Sequence, residues 1–392
     1  MFAHARETVN RTIDDNKDEL FALSDAIWKE PELCFEECKA HQLLTDYLEK
    51  KGFVVERSYT GVKTAFRATF GSGRPNVCVI CEYDALPDIG HACGHNLIAE
   101  AGVAAGLGLK AALEACQGGL KGRVTVLGTP AEEGGGGKVL LIENGAFDDV
   151  DVAMMVHPSP LNAVFHPFLA MRSYQVTYTG RAAHAAAFPW EGVNALDAAV
   201  TAYNSISVLR QQMTPGCRVH GVIKEGGVKP NIIPEKAVME YYVRAPTRSE
   251  RDHLVKKVVA CFEAAATATG CEASIEETEK PYDDVVTNLA LGECYEKNMA
   301  ELLGDIEWEK DHSKTGSTDM GNVSYTVPSI HIMYSIGTAA NHTREFTVAS
   351  NTHVAHRTTL QFAKGLALTG LDVLTVPGLL ERIRSAFVVQ EA

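Results

Sequence analysis

Between Glu82 and Asn96 the chain reads E-Y-D-A-L-P-D-I-G-H-A-C-G-H-N. Cys93 and His95 stand two residues apart there, after Asp84 and beside His91. Thiolate, imidazole and carboxylate are the side chains that hold a borderline-soft divalent metal such as zinc. Three later segments supply partners: Glu132-Glu133, His157 and His342. In Thr129-Pro130-Ala131-Glu132-Glu133-Gly134, one carboxylate of the pair can ligate metal while the other takes a proton from water. The plainer reading of an isolated pair is a solvated acidic turn. His157 ends an apolar run before Pro158, and His342 follows a Gly337-Thr338 turn. A lone histidine in either place is more often structural, so the weight lies in the total. Cys93, His95, Glu133, His157 and His342 make five potential ligands. With one or more bridging, they suit two metals about 3.5–4 Å apart better than one closed structural site.

A second set lies further along. Gly180-Arg181-Ala182-Ala183-His184-Ala185 places a histidine in a small-residue turn, Pro230-Asn231-Ile232-Ile233-Pro234 holds an amide between prolines, and Arg244 ends a strand. Together they can supply an oxyanion donor and a carboxylate clamp. A phosphate loop is the wrong reading of Gly137-Lys138. Its pattern needs glycine where Glu132 stands and Ser or Thr where Val139 stands. Gly106-Leu107-Gly108 falls inside a helix rather than in a strand-to-helix turn, which disfavours a dinucleotide fingerprint.

The elements around these residues follow from periodicity and breakers. Residues 5–50 read as two helices, the second from Phe35 to Lys51, with a break at Glu30-Pro31-Glu32-Leu33. Strands are expected at 53–55, 63–70, 76–82 and 122–130, a long Ala- and Gly-rich helix at 95–116, and an apolar strand from Val150 ending at His157. The ligands then sit just past strand ends, where open α/β sheets place their sites. From about residue 168 the order becomes β-α-β-β-α-β, with strands at 171–179, 217–225, 236–244 and 272–278 and helices at 192–212 and 249–270. That is the ferredoxin-like unit. The α/β pattern resumes with a helix at 285–303, a strand at 329–335 and helices at 350–369 and 376–388. The expected domains are therefore 1–167 and 282–392, forming one catalytic domain, and an inserted domain over 168–281.

Composition sets the outer bounds. A chain of 392 residues exceeds one core, and 46% hydrophobic with 22% charged residues is ordinary for a globular enzyme. A net charge of −14 without a Lys/Arg block argues against nucleic acid or an anionic membrane surface. No apolar run in the sequence approaches a membrane span, the first ten residues are polar, and the ten cysteines form no CxxC pair. A cytoplasmic location with reduced thiols is the expectation.

The chain resembles the zinc-dependent aminoacylase and amidohydrolase exopeptidases, metallopeptidase family twenty, subfamily D, and within it the branch of β-alanyl-lysine dipeptidases. The resemblance is carried by Glu82-Tyr83-Asp84-Ala85-Leu86-Pro87, Gly90 to Asn96, Pro130 to Gly134, Pro230 to Pro234 and Gly316-Ser317-Thr318-Asp319, in the family's order. It implies a mixed-sheet α/β catalytic domain with an inserted lid and dimerisation domain. It implies two divalent metal ions, zinc first, with manganese or cobalt as alternatives, on Cys93, His95, Glu133, His157 and His342. Glu132 would be the general acid/base, and Asp84 would orient a ligand. His184 would reach across a homodimer to the substrate carbonyl, and Asn231 and Arg244 would help hold the substrate. Many relatives carry Asp where this chain has Asn96, and other branches carry His-x-Asp where it has Glu82-Tyr83-Asp84. The implied activity is hydrolysis of β-alanyl or γ-aminobutyryl dipeptides with basic residues. An N-acyl-amino-acid or aminobenzoyl-glutamate amidohydrolase is the alternative. A silent metal-binding scaffold is a third reading, against which an intact Glu132 weighs.

Overall fold

The computed structural model describes residues 2–116, 119, 121–311 and 315–387. They form two compact units. One holds the residues up to Pro167 with those from Val285 onward, and the other is Phe168–Asp284.

The first unit contains α1 (Phe2–Asp15), α2 (Lys17–Lys29), α3 (Cys38–Lys50), β1 (Val54–Arg57), β2 (Phe66–Ser72), β3 (Asn76–Cys81), α4 (His95–Ala115), β4 (Gly122–Gly128), α5 (Gly137–Glu143) and β5 (Val152–Ser159). The second contains β6 (Ala170–Thr179), α6 (Ala195–Leu209), β7 (Arg218–Glu225), β8 (Lys236–Ala245), α7 (Arg248–Thr269) and β9 (Glu272–Glu277). The chain then returns to the first unit with α8 (Leu289–Leu303), α9 (Met320–Thr326), β10 (Ser329–Ser335), α10 (Arg344–Ala349), α11 (His353–Thr375) and α12 (Leu379–Ser385).

The first unit is built on a mixed six-stranded sheet in the order β1-β2-β4-β3-β5-β10. β4, β3, β5 and β10 run parallel, and β2 lies antiparallel to both β1 and β4. Strands buried on both faces read as continuous apolar runs, and alternate residues part to opposite sides. Val77, Val79 and Cys81 of β3 join a core with α1, α4 and α11, while Cys78 and Ile80 join a second core with α5 and α9. α4 is long and apolar enough by composition to cross a membrane, although no apolar run in the sequence suggested it; 89% of that window is buried inside this unit. Its interruptions are Ala and Gly, which read as mild in hydropathy but pack closely.

Local chemistry explains where the elements depart from the periodicity. The single helix expected before Pro31 is two, broken at Asn16, whose side-chain amide donates back to Thr12 O at 2.8 Å. α3 starts at Cys38, not Phe35, because Phe35 takes a positive φ of 62° and cannot continue a helix. The helix expected at 285 starts where the Asn288 side chain caps Leu291 N–H, and that expected at 350 starts after Thr352 caps Ala355 N–H. α9 and α10 are too short for periodicity to reveal. The last helix ends at Ser385, and residue 388 lies outside the described residues.

The second unit is a four-stranded antiparallel sheet, β7-β8-β6-β9, with α6 and α7 packed on one face. β8 alternates cleanly: Ala237, Met239, Tyr241 and Val243 are buried against the helices. α7 is bounded by Thr247 capping Glu250 N–H and by Gly270 in the left-handed region at φ 75°. The unit extends to Asp284, three residues past the boundary expected from sequence.

Candidate metal centre

Because β3, β4, β5 and β10 are parallel, their C-terminal ends meet on one edge of the sheet. Glu82 and Asp84 follow β3, Glu132 and Glu133 follow β4, His157 lies near the end of β5, and His342 follows β10. Cys93 and His95 stand at the start of α4, on either side of Gly94 in the left-handed region at φ 79°. A Cβ on Gly94 would fall 2.5 Å from Pro158, next to His157, so this turn and the β5 end close on each other only through a glycine.

Of the six non-glycine residues with positive φ among the described residues, two adjoin the donor set: Ala131 at φ 58° and His342 at φ 65°. Each is pinned. Ala131 N–H donates to Glu37 Oε1 at 2.9 Å, which turns the next two carboxylates inward, and His342 N–H donates to Ala92 O at 2.8 Å. Asn341 donates to Pro158 O at 3.1 Å and tightens the same loop.

The result is a contiguous donor set. Cys93 Sγ lies 3.4 Å from His157 Nε2. His95 Nε2 lies 3.8 Å from Glu133 Oε1 and 3.9 Å from Glu132 Oε2, and His342 Nε2 lies 3.5 Å from Glu133 Oε1. Each of three overlapping trios, Cys93/His95/His157, Cys93/Glu133/His342 and His95/Glu132/Glu133, has its atoms within 4.8 Å of one another. Glu133 Oε1 and His95 Nε2 are buried without a hydrogen-bond partner. Such orphans are costly in a finished protein, and a divalent ion would satisfy them. A soft thiolate, imidazoles and a shared carboxylate are a donor chemistry that fits such ions.

Charge balance follows from burial. His95 Nδ1 meets Asp84 Oδ1 at 3.0 Å, and Glu133 N–H donates to Asp84 Oδ2 at 2.9 Å. Burial alone would raise the Asp84 carboxyl, but the adjacent His95 charge and these hydrogen bonds outweigh it and bring it to about 2. Burial opposes a charge on His95, yet Asp84 lifts its pKa well above the ordinary value. Burial lowers His157 to about 4 and leaves a neutral ring with an available lone pair. Burial, then Glu82, Glu133 and Asp319, push the Glu132 carboxyl well up.

Three members of the cluster were not singled out from sequence. Glu82 and Asp319, each without exposed surface, both grip the buried Lys138 ammonium, at 2.5 and 2.7 Å. Glu37 is a further hidden carboxylate, bound by Thr64 and by Ala131 N–H. Asn96, a departure from the family pattern, ties α4 to Ser24 and Ser350.

The remaining candidates lie in the second unit. His184 and Asn231 meet there: Ala185 N–H donates to Asn231 O at 3.0 Å, and His184 pairs with Ile232. His184 Nδ1 accepts from Ala186 and Ala187 N–H at 3.3 and 3.2 Å, which makes Nε2 the protonated nitrogen. Arg244 sits on β8 beside Met171 and Arg218, its guanidinium over the Tyr242 ring, and burial lowers its pKa.

Residues 170–269 match the M20 peptidase dimerisation domain. Over 389 residues the chain is 51% identical to the Xaa-Arg dipeptidase of Mus musculus, covering 96% of this chain and 90% of that one. This chain belongs to the M20 peptidase family. It is a hydrolase of peptide or amide bonds, with the catalytic and inserted units of that family's architecture. Within the family it is 29% identical to a p-aminobenzoyl-glutamate hydrolase polypeptide of Escherichia coli, over 96% of this chain and 94% of that one. A Bacillus subtilis M20 protein described as a dinuclear metal-binding peptidase shares the fold at TM-score 0.65 and 19% identity, covering 92% of this chain and 99% of that one.

Proposed function

We propose that this protein is a metal-dependent dipeptidase for β-alanyl-lysine and related dipeptides joining a β-alanyl or γ-aminobutyryl group to a basic amino acid. The observation that carries the reading is the convergence of Cys93, His95, Glu133, His157 and His342 beside a second, deeply buried carboxylate, Glu132. A purely structural metal site has no use for that extra acid. The 51% identity to a protein named for Xaa-Arg dipeptides supports a basic residue on the leaving side.

The five ligands would hold two divalent ions, zinc first, then manganese or cobalt, which would acidify water and polarise the scissile carbonyl. Glu132 takes the proton of the attacking water and returns it to the leaving amine. Asp84 fixes the His95 ring through Nδ1 and leaves Nε2 as the nitrogen that would hold an ion. His184, its proton on Nε2, donates to the carbonyl oxygen across a homodimer, and Asn231 and Arg244 bind the substrate. The dimer reading rests on the second unit. β7 is an edge strand whose Val222 and Ile223 are exposed, and α6 leaves Val200, Tyr203 and Val208 exposed. Ten free cysteines suit the cytoplasm.

The kinship with the p-aminobenzoyl-glutamate hydrolase of Escherichia coli favours a second reading, an N-acyl-amino-acid or aminobenzoyl-glutamate amidohydrolase. One experiment separates them. Metal content and hydrolysis of β-alanyl-lysine, acetyl-lysine and aminobenzoyl-glutamate are measured on one preparation, before and after chelation and zinc or manganese add-back. Metal-dependent cleavage of β-alanyl-lysine is the expected result. Bound metal with cleavage of only the acyl or aryl amides moves the substrate, and no bound metal removes the ligand assignment.

A further inference from the structure

A fourth group beside the metal ligands joins Glu132 to two acids, Glu82 and Asp319, to which this reaction gives no task. Glu82, Glu132 and Asp319, all buried, each place one oxygen within 4.8 Å of the others. By donor type alone such a trio suits a hard divalent cation. It already holds a cation. The Lys138 ammonium lies 2.5 Å from Glu82 Oε1 and 2.7 Å from Asp319 Oδ1, and Lys138 N–H donates to the other Asp319 oxygen at 2.9 Å. Lysine and aspartate are thus joined twice, through side chain and backbone. A glycine makes this approach possible: a Cβ on Gly137 would stand 1.8 Å from Pro130 O. The second Glu82 oxygen, buried and without a hydrogen-bond partner, faces His95 Nε2 at 3.6 Å. Glu82 therefore connects the lysine to the metal-ligand cluster.

We infer that Lys138 is a positioning residue: a fixed internal cation that occupies the three-carboxylate pocket and keeps a divalent ion out of it. By holding Glu82 and Asp319, it leaves Glu132 to proton transfer rather than to metal ligation. The inference rests on the acid/base reading of Glu132. A buried lysine is tolerable only with such partners, since an unpaired ammonium in the interior is costly. Its compact charge and three donors suit a pocket of carboxylates that a planar guanidinium would fill less well.

The test counts metal. Wild type and Lys138→Ala are stripped with chelator, reloaded with excess zinc, desalted and analysed by plasma mass spectrometry, alongside kcat and KM on whichever amide the wild type cleaves best. The expected result is one more ion per chain in Lys138→Ala, with kcat down about tenfold or more and KM within about threefold. A folded Lys138→Ala that binds no additional ion overturns the inference. Should that variant not fold, calorimetric zinc titration of stripped wild type decides: saturation at two tight ions supports a pocket closed by lysine, and a third tight ion refutes it. The count does not depend on substrate. Wild type with two ions that cleaves no β-alanyl dipeptide sinks the substrate reading and leaves this one standing.

Discussion

Asp84 is the side chain whose loss separates orientation from ligation. It accepts from His95 Nδ1 and from Glu133 N–H, so it sets two of the proposed ligands at once. Asp84→Asn keeps the shape but removes the charge, and metal affinity measured by competition with a chromogenic chelator is expected to fall 10- to 100-fold. Glu132→Ala should do the opposite, leaving metal content at the wild-type level while turnover drops by several orders of magnitude. Glu37 gives a pH signature. Burial first, then the Asp84 charge, raise its carboxyl to about 7 against an ordinary 4.5. A raised acid binds a proton more tightly folded than unfolded, so its contribution is full below 4.5 and is lost as pH rises through 7. Relative to wild type, Glu37→Gln should gain stability between pH 5 and 8, up to about 3 kcal/mol in thermal or urea unfolding. A flat difference across that window would remove Glu37 as the cause. The residues named from sequence were those whose types announce ligand chemistry. Glu82, Lys138 and Asp319 were harder to see because their meaning is mutual. Lys138 in a glycine run offered only a phosphate-loop pattern that its neighbours rule out, and only the pairing of segments 56 and 181 positions away reveals a buried ion cluster.

At the scale of elements, the segment from the end of β4 to the start of α5 is tightly constrained. It carries both glutamates, a left-handed Ala131 and a Gly137 against Pro130 O. Gly137→Ala is expected to destabilise the protein by roughly 3 kcal/mol through backbone displacement, and to lower metal affinity in parallel because the glutamates move with the turn. Unchanged unfolding in urea would mean that the turn relaxes at no cost. β8 was legible by its alternation and α7 by its Thr247 cap, while β3, α4 and β10 were legible as continuous apolar or small-residue runs. Among the short helices, α12 was read, but α9 and α10, of 7 and 6 residues, were not, since so few residues give a helical period little weight. The ferredoxin-like order could be read because β6 and β8 alternate between a buried and a more open face, even though β7 buries only Val219 and β9 no residue, while the both-face burial of β3 and β5 hides strand order in the first.

For the whole molecule, ions held by the proposed ligands, which come from four separate segments, would act as cross-links. Chelation is therefore expected to lower the unfolding temperature as well as activity, and zinc to restore both, with a dependence on free ion concentration that follows simple mass action. Tyr203→Glu, on the exposed face of α6, should convert a dimer to monomers in light scattering while leaving the ion count unchanged. The strand order has a consequence for synthesis. β5 is buried along all 8 residues and is covered on one side by β10, which the ribosome makes only after the entire second unit. At 5–20 residues per second, the roughly 170 intervening residues leave that apolar edge unpartnered for about 10–35 s. Over the same interval the inserted unit, contiguous in sequence, can finish folding. A nascent chain halted before Ser329 should accordingly recruit holdase chaperones and aggregate on release, whereas one released after β10 and α11 have emerged should stay in solution.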